Sequence, residues 1–165
     1  MFRIGIGSDI HKLIEGRPLV IGGVHVDSDL GADGHSDADV LCHALCDAIL
    51  GALSLGDLGK HFPTDEERWR NAESFIFLRY VVGLMKQNGY RVENVDSTVH
   101  LEKPKLRPYI DEIKKGIAEV LEIEANCVSV KAKTGEGLGP VGRSEAVVTQ
   151  AVVLLASVSN NSFAD

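Results

Sequence analysis

The chain has 165 residues, 44% of them hydrophobic and 25% charged, which is the composition of an ordinary folded protein with one domain's worth of core. Its formal net charge of −7 works against broad binding to nucleic acid or to an anionic membrane, since both need a positive field. No apolar run approaches the roughly 20 residues of a membrane span, and the three cysteines, Cys42, Cys46 and Cys127, in no framework spacing, point to a reducing compartment.

Phe2 to Ser8 alternates apolar and small residues and predicts a strand that begins at once, leaving no signal or transit peptide visible. Pro18 to Val26 predicts a hairpin around Gly22-Gly23, and the polar, Gly-rich Asp27 to His35 a loop. A helix is expected from Asp37 to Leu53, with Ser36 as N-cap, Asp39 in a capping-box-like position, and Val40, Leu41, Ala44, Leu45, Ala48 and Ile49 as its buried stripe. Ser54 to Glu67 reads as a long loop and Ala72 to Gln87 as a second helix ending before Gly89. Tyr90 to Glu102 is rich in Cβ-branched residues and predicts a strand; Leu106 to Leu121 keeps a helical period. Cys127 to Lys133 and Ala146 to Val158 are expected as strands, joined by the Gly-rich Thr134 to Arg143. Strands and helices mix without steady βαβ alternation, which favours an α+β domain over 1–158, followed by a disordered tail at 159–165.

Several groups carry chemistry. Asp9 and His11, two apart on a strand, share a face, and a carboxylate with an imidazole there can hold a metal. His43 lies one helical turn from both Asp39 and Asp47, either of which would fix its tautomer. If the fold brings strand and helix together, Asp9, His11 and His43 give an N₂O set, the pattern of a catalytic zinc site with an open fourth position; an exposed strand end for Asp9 and His11 and a structural role for His43 are the alternatives. Cys42 and Cys46, at i and i+4, compete for the same metal, or else are buried as small hydrophobes. His35 and Ser36, at the helix entrance, either hold an anion with free backbone N–H groups or serve as solvated residue and cap. Two local positive patches remain, Lys103, Lys105 and Arg107 among prolines, and Lys131 with Lys133 beside Gly135, Gly137 and Gly139; they are either solvated loop charge or a phosphate or nucleotide cradle to which glycine backbone can approach.

"SDIHKL", "GHSDADVLCHALCDAILGALSLGDLGKHFP", "KPKLRP" and "KTGEGLGPVGRSE" occur in one order along nearly the whole chain. In that combination the chain resembles the 2-C-methyl-D-erythritol 2,4-cyclodiphosphate synthase family of the non-mevalonate isoprenoid pathway. The resemblance implies zinc on Asp9, His11 and His43, with His35 and Ser36 touching the methylerythritol phosphate. It places Asp57, Leu58 and Gly59, and Phe62, Pro63, Thr64, Asp65 and Glu66, along the ribose and methylerythritol side. Leu101, Glu102, Lys103, Pro104, Lys105, Leu106 and Arg107 would hold cytosine, largely through backbone groups. Lys133, Thr134, Gly135 and Glu136 would meet the diphosphate, Glu136 assisting Mg²⁺ or Mn²⁺, and His35 and Thr134 would stabilise the transition state.

The implied fold is a small α+β domain, a mixed sheet with helices on one side, assembled as a homotrimer with sites between subunits. The implied reaction is attack of the 2-phosphate of 4-diphosphocytidyl-2-C-methyl-D-erythritol 2-phosphate on its own β-phosphorus, with release of CMP. The implied place is the bacterial cytoplasm, or the plastid stroma after loss of a transit peptide. Lys133 and Gly135 flank Thr134 where many members have threonines, and Pro140 stands where an aromatic residue is common, near the segment expected at the trimer axis. Arg143 and Glu145 are available for that axis or for pairing between subunits. A metal-dependent phosphohydrolase and a non-catalytic zinc-stabilised trimeric module are the competing expectations.

Overall fold

The computed structural model describes residues 1–63, 66–69 and 71–158. The first strand runs further than its alternation predicts: β1 spans Phe2–Glu15, so Asp9 and His11 lie within it and not at its end. Leu19–Ile21 (β2) and Val24–Val26 (β3) form the expected hairpin around Gly22-Gly23. The segment expected as loop from Asp27 to His35 contains a short strand, Leu30–Ala32 (β4), paired with the end of β1.

Helix α1 covers Val40–Ala52 and is capped by Asp39, not Ser36. Both Asp39 oxygens are committed: Oδ1 accepts from the N–H groups of Leu41, Cys42 and Gly22, and Oδ2 from that of Gly23. One buried carboxylate thus caps the helix and anchors the hairpin, which is why Asp39 is unavailable to His43. The long loop after α1 holds a single turn, α2 (Leu58–His61), capped by Asp57. Helix α3 is Ser74–Gln87, β5 is Tyr90–His100, and a 3₁₀ turn at Arg107–Tyr109 leads into α4, Ile110–Leu121. Strand β6, Val128–Lys133, and β7, Ala146–Ser157, are joined through one helical turn, α5 (Gly139–Gly142).

The five-stranded sheet has the order β4-β1-β7-β5-β6, antiparallel except for the parallel β5–β6 pair. Its inward residues and the helices α1, α3 and α4 enclose one buried cluster, giving the expected α+β class and mixed sheet. Gly5 and Gly7 set the spacing between β1 and α1: a Cβ on either would lie 1.9 Å from the carbonyl oxygen of Ala48 or Ala44. Backbone therefore rests on backbone along this contact. The opposite face of β1 is apolar and bare, with Phe2, Ile4, Ile6 and Ile10 between 60% and 72% exposed.

Candidate metal centre and active site

The close β1–α1 contact brings Asp9 and His11 against His43. His43 Nδ1 lies 2.9 Å from Asp9 Oδ2, His11 Nε2 lies 3.0 Å from the same oxygen, and the two ring nitrogens are 3.3 Å apart. Two nitrogens and an oxygen at about 2.0–2.1 Å from one zinc would stand about 3.3 Å from one another in a tetrahedron. The triangle in the chain is within a few tenths of an ångström of that edge, so the donor set fits the ion.

The electrostatics agree. Burial alone would raise the Asp9 carboxyl, but hydrogen bonds from His11 and His43, and their charge, outweigh it and hold the group well below the usual carboxylate range. Burial disfavours charge on His11, yet the bond to Asp9, its charge, and the Asp33 carbonyl push the imidazole above its ordinary value. His11 Nδ1–H donates to Asp33 O at 2.6 Å, which leaves Nε2 facing the triad.

The cysteines drop out as competing ligands. Cys42 and Cys46 are wholly buried, and desolvation pushes both thiols far up, so neither offers a thiolate. The carboxylates expected to fix His43 are also occupied elsewhere: Asp39 caps α1, and Asp47 Oδ1 accepts from Leu58 N–H at 2.7 Å. The groups that do face His43 Nε2 are the hydroxyls of Ser74 at 3.0 Å and Ser36 at 3.2 Å.

Around the triad lies a cleft of about 200 Å³ lined by Asp9, His11, His35, Ser36, His43, Leu58, Gly59, Phe62, Trp69 and Phe77. Its wall is aromatic: Phe62 meets Trp69 edge-on at 4.9 Å between ring centroids, and Phe77 at 4.6 Å. His35 Nε2 lies 3.3 Å from the carbonyl of Glu66, whose side chain pairs with Arg68. Asp57 is spent on capping α2, and Pro63 is half-buried outside the cleft lining. Thr64 and Asp65 lie outside the described residues.

A second, larger cleft of about 1030 Å³ gathers Leu101, Pro104, Lys105, Leu106, Arg107, Lys131, Lys133, Thr134 and Glu136. The Thr134 hydroxyl donates to the Glu136 carboxylate, and Glu102 Oε2 accepts from Gly135 N–H at 2.8 Å, tying the two segments together. Lys103 and Pro140 are exposed and line neither cleft, and Arg143 pairs with Glu145. Among the described residues the two clefts share no lining residue.

Residues 2–156 match the model of the YgbB family. The chain belongs to the YgbB family. It is 54% identical over 155 residues to the 2-C-methyl-D-erythritol 2,4-cyclodiphosphate synthase of Salinibacter ruber, covering 94% of this chain and 99% of that protein. It superimposes on a 2C-methyl-D-erythritol-2,4-cyclodiphosphate synthase in its CDP-bound form with a TM-score of 0.87 and 38% identity, covering 93% of this chain and all of that one. It also matches the bifunctional IspDF from Campylobacter jejuni (TM-score 0.91, 36% identity, 95% of this chain), of which it spans 42%.

Sequence reasoning overlooked Trp69, Phe77, Asp37 and Ser74. The aromatic residues sit in helical or loop stretches where a core role is the ordinary expectation. Ser74 is 31 residues from His43, and nothing in the spacing connects them.

Proposed function

We infer that the chain converts 4-diphosphocytidyl-2-C-methyl-D-erythritol 2-phosphate into 2-C-methyl-D-erythritol 2,4-cyclodiphosphate and CMP. The observation that carries this is the Asp9–His11–His43 triad, set at zinc-like spacing in a cleft that also holds His35 and Ser36, within a YgbB-family chain. The CDP in the related structure supports a cytidine nucleotide as ligand of the second cleft.

Asp9, His11 and His43 would hold zinc, which supplies Lewis-acid polarisation of the β-phosphate. His35 and Ser36 take the methylerythritol phosphate, on the wall formed by Leu58, Gly59, Phe62 and neighbouring residues. Leu101 to Arg107 hold the cytosine. Lys133, Thr134 and the backbone of Gly135 receive the diphosphate, and Glu136 would hold Mg²⁺ or Mn²⁺ against it. Phosphates repel one another, so these residues act by neutralising charge and fixing the attacking oxygen in line with the β-phosphorus. His35 and Thr134 donate hydrogen bonds to the charge that develops. The attacking phosphate is already ionised and needs no strong base.

We further propose a homotrimer in which the zinc side of one subunit faces the cytidine side of the next. Two features support it: the bare apolar face of β1, and the division of the site into two clefts that share no lining residue among those described. Three free cysteines suit a reducing compartment, a bacterial cytoplasm or plastid stroma. Among the described residues no helix is long and apolar enough to cross a membrane.

A phosphohydrolase would use the same triad to activate water, and a binding module would use it for structure alone. Incubation with the cytidyl substrate and separation of products distinguishes all three. Cyclodiphosphate with stoichiometric CMP supports the cyclisation; inorganic phosphate, or no turnover, overturns it.

A further inference from the structure

The triad continues into a hydrogen-bonded chain behind it. His43 turns Nδ1 toward Asp9, so Nε2 lies on the far side of the ring. There Ser74 Oγ stands 3.0 Å away, and the same hydroxyl donates its proton to Asp37 Oδ1. Asp37 Oδ2 accepts from Ser74 N–H at 2.9 Å, so both carboxylate oxygens grip one residue. Ser36 Oγ, 3.2 Å from Nε2, is already an acceptor for Ala38 N–H.

A serine whose proton is committed to a carboxylate has only lone pairs left to offer. His43 therefore keeps a proton at Nε2, and Nδ1, which bonds Asp9 in the metal-free chain, is the nitrogen left to give up its proton to a metal. That is the tautomer a metal requires, fixed by a carboxylate acting through a hydroxyl. The parts come from separate segments: Asp37 precedes α1, and Ser74 is the first residue of α3. Backbone bonds hold the segments together, from Asp37 N–H to Ala72 O at 3.1 Å and from Asn71 N–H to His35 O at 2.8 Å. Ser74 is 1% exposed, so water does not replace its hydroxyl.

We propose that Ser74 and Asp37 are positioning residues of the metal centre: the Asp37 carboxylate, acting through the Ser74 hydroxyl, fixes the tautomer and ring orientation of His43. This rests on the triad being the metal site. Ser74 also opens α3, so a merely structural role is the alternative to be separated.

The test is Zn²⁺ affinity of the full chain, measured by competition with a chromophoric chelator, alongside melting of the chelator-treated protein. Ser74→Ala is expected to weaken zinc binding by about 10- to 100-fold, the range for removing an outer hydrogen-bond partner of a metal-bound histidine. Melting of the metal-free form should stay close to the parent's. Ser74→Thr, which keeps the hydroxyl, should bind more tightly than Ser74→Ala. In a His43→Ala background, Ser74→Ala should have no further effect on the residual affinity, because the ring it acts through is gone.

Binding by Ser74→Ala within about twofold of the parent, against the range above, overturns the positioning role while leaving the triad intact. So does an equal loss in the His43→Ala background, or failure of metal-free Ser74→Ala to fold, since the hydroxyl would then serve α3. A parent that binds no zinc, or a His43→Ala variant that binds it as tightly, overturns the triad and this inference together.

Discussion

Gly7 offers the sharpest perturbation of the scaffold that assembles the site. It lies two residues before Asp9, and a Cβ there would sit 1.9 Å from Ala44 O and 2.7 Å from Ala48 N. Both neighbours are helix backbone, which cannot rotate aside as a side chain can. Real Cβ atoms essentially never approach closer than 3.0 Å, so Gly7→Ala must move α1 from β1 by about 1 Å in a region otherwise packed to crystal-like density. That displacement is a third of the 2.9–3.3 Å that separates the three ligand atoms. Overpacking of this kind costs about 1–3 kcal/mol, a large share of a typical 5–15 kcal/mol of stability. Gly51→Ala is the control. It lies on the same helix, but its Cβ would meet nothing nearer than Ile6 O at 3.9 Å, so better helix propensity should stabilise the chain by about 0.5–1 kcal/mol. Urea unfolding of the chelator-treated proteins reads the stabilities, and chelator competition reads the zinc affinity. Gly7→Ala should lose both, and Gly51→Ala neither. A Gly7→Ala chain that is as stable as the parent and binds zinc as tightly would refute the backbone-on-backbone reasoning.

Asp39→Ala should destabilise the chain by about 2–4 kcal/mol in thermal melts, because four N–H groups of α1 and the hairpin lose one acceptor. Thr149→Val should be neutral or stabilising by up to about 1 kcal/mol, since Thr149 Oγ1 is buried with no hydrogen-bond partner among the described residues. Under the proposed assembly the parent should sediment as a trimer and Ile6→Lys, on the bare face of β1, as a monomer; a trimeric variant would place the interface elsewhere. Chains carrying His43→Ala or Glu136→Ala should each be nearly inactive, and unfolding and reassembling them together at equal amounts should return about a quarter of parental activity, from random assortment around a closed ring. Mixed trimers that stay inactive would put the whole site within one chain.

The sequence made the ligands visible where local geometry decides them. Period-2 spacing places Asp9 and His11 on one face, and the helical turn puts His43 on the flank of α1. Their convergence depends on Gly5 and Gly7, whose meaning emerges only once a helix lies across them. The cap illustrates the opposite outcome. Ser36 satisfied the local rule for an N-cap, but Asp39 reaches both α1 and the Gly22-Gly23 hairpin, and this tertiary gain displaces the start of the helix to Val40. Strand β4 was hidden because a three-residue Leu-Gly-Ala segment carries no alternation of its own and is a strand only against β1. The contact between Ser74 and His43 has no periodic signature, because two loops bring it about.

The fate of solvent oxygen separates cyclisation from hydrolysis at the Asp9–His11–His43 centre. Turnover of the cytidyl substrate in ¹⁸O-labelled water, followed by mass spectrometry of the products, shows whether the attacking oxygen comes from the substrate's own phosphate. Attack by the substrate's own phosphate predicts that cyclodiphosphate and CMP both form without label. Label in either product, or labelled inorganic phosphate, would mean that the Asp9–His11–His43 centre activates water, and would contradict it.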